Sequence, residues 1–422
     1  AVPGWEPEPY PGYAHVLLLT SYVVRDADLK AAIHARVREA LSLAEARWGP
    51  GALISGVGCH IPTPQLSFLA GQLEQGLMQW RDEVTRLIAA QSSDGEWGFQ
   101  PSAAPCGAEV ARKLGEPGAR EVGITATYAV EILRYARVTG DAAALHAGLR
   151  ALKAMERYKV PRGAQVWEVP LRAPDILAAA KALEAYLEAY IATGEGKYLE
   201  GARYWALAGL PFVYLWALPD RPAMAGATIP VYASSCLQGP GWFGIPVQWN
   251  GLVYAYHLLR LSAYDRSFPW RELATLILAS AMRQQEATGG PYPDSWILMV
   301  NRAQPPYVNP EALAKVALTL AGVSPDLNTA RVGGIIVSTP AQILETELSG
   351  NELRLRLRWS HEGPVHVLIS APALEIWKGL ERLPRVEDLD AAVEGWEVSS
   401  RLTATIVKIA PGEVELRVAL KG

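Results

Sequence analysis

The feature that most constrains this chain is a change of hydrophobic period near residue 322. From about residue 10 to Gly322, apolar residues recur every three to four positions, the spacing of a helix face, and short Gly- and Pro-containing segments interrupt them. Beyond Gly322 the spacing drops to two. In ELRLRLRW, Leu353, Leu355, Leu357 and Trp359 fall on one side of a strand and Arg354, Arg356 and Arg358 on the other. A pattern of one period cannot bury a continuous face in the other conformation, so a helical body followed by a β domain is the expectation.

Helices are expected at about residues 12–23, from a cap at Asp26 or Asp28 to the break at WGPG, and over 65–91 as one long stretch. Further ones are EVGITATYAVEILRYARVTGD and, capped by Asp141, DAAALHAGLRALKAMERY. Next come PDILAAAKALEAYLEAYIATG with GKYLEGARYWALAGLPFVYLW, and WNGLVYAYHLLRLSAYD with PWRELATLILASAMRQQ, where Pro269 and Trp270 suit a first turn. The last pair is PDSWILMVNR with NPEALAKVALTLAG. Phrases such as RYARVTGDAAAL and AYIATGEGKYLEGARYWA read as degenerate copies of one helix-turn-helix unit about 60 residues apart. Five clear pairs and a sixth would close a ring. The expected fold is therefore mainly α, an (α/α)6 toroid over residues 1–325, followed by a small antiparallel β-sandwich over 326–422. Gly350-Asn351 and Pro411-Gly412 mark turns in the sandwich, and the arginine row reads as a solvated or interdomain strand face.

Composition narrows the function. Lys+Arg 39 against Asp+Glu 43 gives a net charge of −4, which excludes a polybasic nucleic-acid binder. Trp 14 and Tyr 17 outnumber Phe 5, although Phe is the ordinary core aromatic; rings with a polar edge suit a semi-polar cleft where a flat sugar face stacks and hydroxyls bond around it. Three cysteines, Cys59, Cys106 and Cys236, lie far apart and signal neither a metal knuckle nor a disulfide framework. The most apolar run, WALAGLPFVYLWALP, is short and broken by proline, so no membrane span and a soluble protein are expected. AVPGWEPEPYPGY does not read as a signal peptide; a secreted or periplasmic location is the expectation if such a signal has been removed.

With the paired helices and the appended strands on the page, the chain resembles the superfamily of (α/α)6-toroid enzymes that act on glycans, glycoside hydrolases and polysaccharide lyases among them. The resemblance implies an oligo- or polysaccharide substrate and no cofactor, with a structural calcium ion compatible with the loops. A sharper local likeness is Gln91-Ser92-Ser93-Asp94-Gly95-Glu96-Trp97, which is similar to the Q-x3-G-x-W repeat of terpenoid-cyclase toroids. Those enzymes carry DxDD or DDxxD, absent here; the nearest phrase, Asp388-Leu389-Asp390, falls in the strand-rich tail, and the cyclase reading is set aside. Gln91 is expected to pin a turn, with Asp94 and Trp97 at the rim.

In such a ring the polar residues just before the inner helices face one end of a funnel. QVWEVPLRAPD supplies Trp167, Glu168, Arg172 and Asp175. Asp175 is placed to cap the next helix, whereas Glu168 sits among apolar neighbours that would raise its pKa and suit a general acid. GPYPDSWILMV supplies Tyr292, Asp294 and Trp296. Glu168, Asp294 and Asp175 are thus the candidate catalytic carboxylates; a separation of about 6.5–9.5 Å would imply inversion and about 5–5.5 Å retention. Trp242, Gln248, Trp249, Asn250, Tyr254 and His257, in GPGWFGIPVQWNGLVYAYH, are candidate substrate contacts, as are Trp97, Tyr128 and His60. Glu131 is expected either to join them or to pair with Arg134. Two other readings stay open. β-Elimination on a uronate glycan would use Tyr254 with His257 near Asn250, or Tyr128 with His60 and Arg172. A noncatalytic glycan- or protein-binding module would bind without turnover. No zinc-protease, phosphate-loop, dinucleotide or serine-hydrolase motif occurs.

Overall fold

The computed structural model describes residues 10–49, 51–54, 59–101, 107–236, 245–285, 292–297, 302–308 and 311–421. It is mainly helical to residue 320 and antiparallel β beyond, as the change of period predicts. The helices among the described residues are α1 (Pro11–Ser21), α2 (Ala27–Trp48), α3 (Gln65–Ala70), α4 (Leu73–Ala89), α5 (Ala108–Leu114), α6 (Val122–Thr139), α7 (Ala142–Met155), α8 (Ile176–Thr193), α9 (Gly196–Ala208), α10 (Gln248–Leu261), α11 (Trp270–Arg283) and α12 (Glu311–Leu320). None is long and apolar enough to cross a membrane.

Two expectations about these elements are corrected. The stretch 65–91 is two helices, because Gly71 (φ 100°) and Gln72 (φ 56°) both take the left-handed region and break the hydrogen-bond ladder. The described residues of PDSWILMVNR, 293–297 and 302, are not helical. Tyr292–Ile297 forms strand β1, paired antiparallel with β2 (Arg302–Val308). Pro293, Pro305 and Pro306 punctuate this short segment, and proline blocks a helix ladder where a strand edge tolerates it.

By packing, the chain divides into two compact units. One is built mainly from Arg86–Arg134 and Ala143–Ala321, the other from Pro7–Thr85, Tyr135–Ala142 and Gly322–Gly422. In the first unit, α8 and α10 are buried on nearly every side, whereas their neighbours carry a single apolar stripe. On α7 it is Ala144, Ala147, Gly148, Ala151, Leu152 and Met155; on α11 it is Trp270, Leu273, Ala274, Ile277, Leu278 and Ala281. An all-round apolar helix belongs inside and a striped one outside. Accordingly α8 packs on α9 and α10, and α10 on α11 and α12. Buried charges tie the inner helices together: Arg134 of α6 pairs with Glu184 of α8, and Glu188 of α8 pairs with Arg260 of α10 at 2.8 Å.

The second unit holds the sandwich. Its strands are β3 (Asn328–Val332), β4 (Ile335–Thr339), β5 (Gln342–Ser349), β6 (Glu352–Trp359), β7 (Val365–Ile369), β8 (Ala373–Lys378), β9 (Glu381–Arg382), β10 (Gly395–Ser399), β11 (Ala404–Ile409) and β12 (Gly412–Leu420). They form two antiparallel sheets, ordered β10-β11-β7-β4-β3 and β5-β6-β12-β8-β9. Of these strands, β9 is only two residues long and β8 alternates weakly, so neither has a clear period-two pattern in the sequence. Leu353, Leu355, Leu357 and Trp359 lie in the core, and the arginines between them pair on the solvated face, Arg356 with Glu345 at 2.7 Å and Arg358 with Glu413 at 2.9 Å. Gly350-Asn351 turns β5 into β6 as expected, while Pro411 precedes a strand of the other sheet.

Candidate functional site

The site grows from a pinned loop in the first unit. Residues 165–168 form a turn held by Glu168 and Val169 N–H groups donating to the Gln165 carbonyl at 3.2 and 3.0 Å. Three inner-helix starts converge on this loop. At α6, Gly123 N–H donates to the Arg162 carbonyl at 2.8 Å, and Glu121 accepts from Arg172 at 2.5 Å. At α8, Asp175 accepts from Ala178 N–H at 2.7 Å and from Ala164 N–H at 3.2 Å. At α10, Asn250 donates to Gln165 at 3.0 Å, and Gln165 donates in turn to the Pro230 carbonyl at 3.3 Å. Gly123 has no substitute here, since a Cβ would lie 2.4 Å from Ala164 N. Gly123→Ala is expected to destabilise the protein by about 1–3 kcal/mol, read from its urea midpoint; an unchanged midpoint would show that the loop yields freely.

Glu168 is the group with the most pointed environment. The residue is 3% exposed, and its carboxyl accepts from the Ser235 hydroxyl at 2.6 Å on Oε2 and from the Trp167 indole N–H at 2.8 Å on Oε1. Burial pushes its pKa above the ordinary carboxylate value, against the opposing pull of those two donors. Beside it, Trp167 stacks on Trp249 with ring centroids 6.3 Å apart and planes 29° from parallel, and Trp167 stays partly exposed. Cys236, which follows Ser235, is disulfide-bonded and donates its backbone N–H to the Glu168 carbonyl at 2.8 Å, so a covalent link that the cysteine spacing did not signal also secures the site.

The other expected residues divide clearly. Asp175 is fully buried and committed to the α8 cap, as its position after Pro174 suggests. Burial raises its pKa to about 7, against the pull of its hydrogen bonds. A native carboxyl that keeps its proton when the unfolded one has lost it loses stability as pH rises from about 4 towards 7. Asp175→Asn, which retains a cap oxygen, should flatten that slope in chemical denaturation measured across this range; an unchanged slope would exclude Asp175 as its source. Tyr254 donates to the Ala206 carbonyl inside the helical core, and burial drives its pKa far up, a poor position for a proton-abstracting base. His257 is 1% exposed, 3.2 Å from Glu184, with burial lowering its pKa.

Trp97 and Tyr128 form their own pair at 5.3 Å, with the Trp97 indole donating to the Leu87 carbonyl at 3.0 Å. Gln91 donates to the carbonyls of Gly95 and Ala147 at 3.0 and 2.9 Å, a turn-pinning role. Asp94 pairs with Arg120, and Glu131 with Arg134 at 3.1 Å. Gln248 opens α10 and is buried. His60 belongs to the second unit. Trp242 lies outside the described residues. Of Tyr292, Asp294 and Trp296 the backbone alone is described: they lie in β1, which packs on α10, with Asp294 at the register shift between Pro293 and Ser295. Asp294 therefore sits at a β-bulge and not at the start of a helix. Gln165 and Ser235 escaped sequence reading, because neither sits in a motif and only the fold brings them to Glu168 and Asn250.

No protein-family model matches the chain, and no curated protein matches it. Among solved structures, an unsaturated glucuronyl hydrolase from a Bacillus species is similar at 13% identity and a TM-score of 0.47, over 74% of this chain and 85% of that one. An alpha-mannanase from Bacteroides thetaiotaomicron is similar at 10% identity and 0.46, over 74% and 85%. A beta-L-arabinofuranosidase from Geobacillus stearothermophilus, at 11% identity and 0.36, spans 99% of this chain and 73% of that one. These distant likenesses, all to glycan-active enzymes, transfer no residue role or reaction to this chain.

Proposed function

We propose that the chain hydrolyses glycosidic bonds in an oligo- or polysaccharide, with Glu168 as the general acid. The observation that carries this reading is a carboxyl group held out of water with a raised pKa, flanked by two hydrogen-bond donors and a partly exposed Trp167–Trp249 stack. A sugar ring stacked on Trp167 would bring its glycosidic oxygen to an acid that keeps its proton when ordinary carboxyl groups have lost theirs. Asp294 is the proposed second carboxylate, activating water; its strand packs on α10, the helix that opens with Trp249 and Asn250. Asp175 then positions the loop instead of reacting. The reading assigns the reaction to residues 1–325 and leaves 326–422 without a chemical role.

The test is a panel of neutral and uronate-containing oligosaccharides followed both by new reducing ends and by the ultraviolet absorbance of a new double bond. Reducing ends without that absorbance support hydrolysis. Absorbance rising in step with chain cleavage would replace it with elimination, and retention of a glycan without any product would leave a binding module.

A further inference from the structure

The second unit contains a cavity of about 520 Å³ that the glycan reading does not use. Its floor is the outward face of the sheet β10-β11-β7, carrying Glu397, Ile406 and His366; its walls are the start of α4 and the loop 387–390. Six carboxylates line it, from Glu45, Glu74, Glu387, Asp388, Asp390 and Glu397, and no lysine or arginine does. Three of them hold local structure. Glu74 accepts from the Ser399 hydroxyl at 2.6 Å, Asp388 from Ala391 N–H at 3.0 Å, and Asp390 from Gln72 N–H at 3.0 Å through both oxygens. The neighbouring cation, Lys408, donates to the carbonyls of Leu389 and Asp390 at 3.0 and 2.8 Å and so is turned to the loop backbone.

An acidic lining alone would be a solvated surface. The second observation is His366, 2% exposed at the floor. Its Nδ1 is 2.9 Å from the Phe68 carbonyl, an acceptor only, so the ring proton sits on Nδ1. Nε2 is left as a buried lone pair with no partner among the described residues. An unpaired buried acceptor is destabilising until a donor reaches it. Burial and Lys408 both keep the ring neutral, against the Phe68 bond and Asp390. Glu397 is held up to about 6 by burial and by the charges of Glu74, Asp390 and Asp388, a cost that a bound cation would relieve.

We propose that this cavity binds a linear organic polyammonium ion, one ammonium donating to His366 Nε2 and to Glu397 and the others spanning the outer carboxylates. A bare metal ion fits less well, since no group of three or more ligating side chains among the described residues is close enough to hold one. A single ammonium would leave most of the lining charge unanswered. The site is independent of the Glu168 reading, and either can fail without the other.

Spermidine titrated into the whole protein at pH 7 and low salt, followed by calorimetry and by the ¹⁵N resonance of His366 Nε2, tests it. Saturable binding that moves this resonance is expected, weakened about tenfold in Glu397→Gln, the equivalent of one charge-assisted hydrogen bond. Glu347→Gln, the same charge change on an exposed strand position, should leave affinity unchanged. Equal losses in both variants, an unmoved His366 resonance, or the same heat from magnesium chloride at matched ionic strength would each overturn the proposal in favour of diffuse counterion attraction.

Discussion

Glu168→Gln is expected to lower kcat on the cleaved oligosaccharide by about 10²–10⁴-fold, the usual worth of a positioned general acid. The substitution is close to isosteric. Its amide oxygen can accept from the Trp167 indole and its amide N–H can donate to the Ser235 hydroxyl, so both contacts persist in altered sense and the pinned turn survives. What disappears is the proton. The pH profile of the unaltered protein offers a second readout. A general acid works while protonated, so activity should fall as pH rises through the pKa of Glu168, at a pH above that of an ordinary carboxyl because burial favours the neutral form. Ser235 opposes that shift by bonding the ionised form, and Ser235→Ala should move the alkaline limb to still higher pH. Full activity in a folded Glu168→Gln variant would remove Glu168 from the chemistry.

Arg134→Met is expected to cost about 3–5 kcal/mol of unfolding free energy, the largest stability loss anticipated in the helical unit. Arg134 is 4% exposed and joins α6 to α8 through Glu184, with Glu131 at 3.1 Å and Glu188 at 4.0 Å. Deleting the guanidinium leaves two fully buried acids short of a cation. Lys181 at 3.0 Å and His257 at 3.2 Å still face Glu184, and Arg260 still holds Glu188, which sets the loss towards the lower end of that range. Burial pushes the Glu184 carboxyl up, but His257, Lys181 and Arg134 together hold it well below the usual carboxylate range. Urea unfolding followed by tryptophan fluorescence reads the effect; a midpoint unchanged within error would show that the remaining cations suffice. The converse change, Glu184→Gln, should be milder, because an amide can still accept from Arg134.

Much of the architecture is legible in the chain itself because it depends on local pattern. The stripe on α7, the all-round apolar α8, the Asp26 and Asp175 caps and the alternation of β6 are each decided by residues within a few positions of one another. The failures share a cause as well. Residues 65–91 read as one helix because no propensity rule anticipates Gln72 in the left-handed region, where its N–H is held by Asp390, 318 positions away. Residues 292–297 read as a helix because their pairing partner, β2, comes only later in the chain and its two prolines hide it.

The candidate site shows the same division. Glu168 stands out locally, since Trp167, Val169 and Pro170 around it already argue for a raised pKa, and Asp175 after Pro174 already reads as a cap. By contrast, Ser235 and Gln165 are ordinary polar residues until the loop, α8 and α10 are assembled, and the neutral His366 over an acidic cavity exists only once β7 pairs with β11 and α4 covers them. Sequence by itself therefore determined the helical and strand periods, the caps and one environmentally marked carboxyl group, because each is a property of near neighbours along the chain. Which polar atoms meet, which acceptors stay unpaired and where charge is buried were decided by tertiary structure alone, because desolvation and hydrogen bonding depend on distances in space that no spacing in the chain encodes.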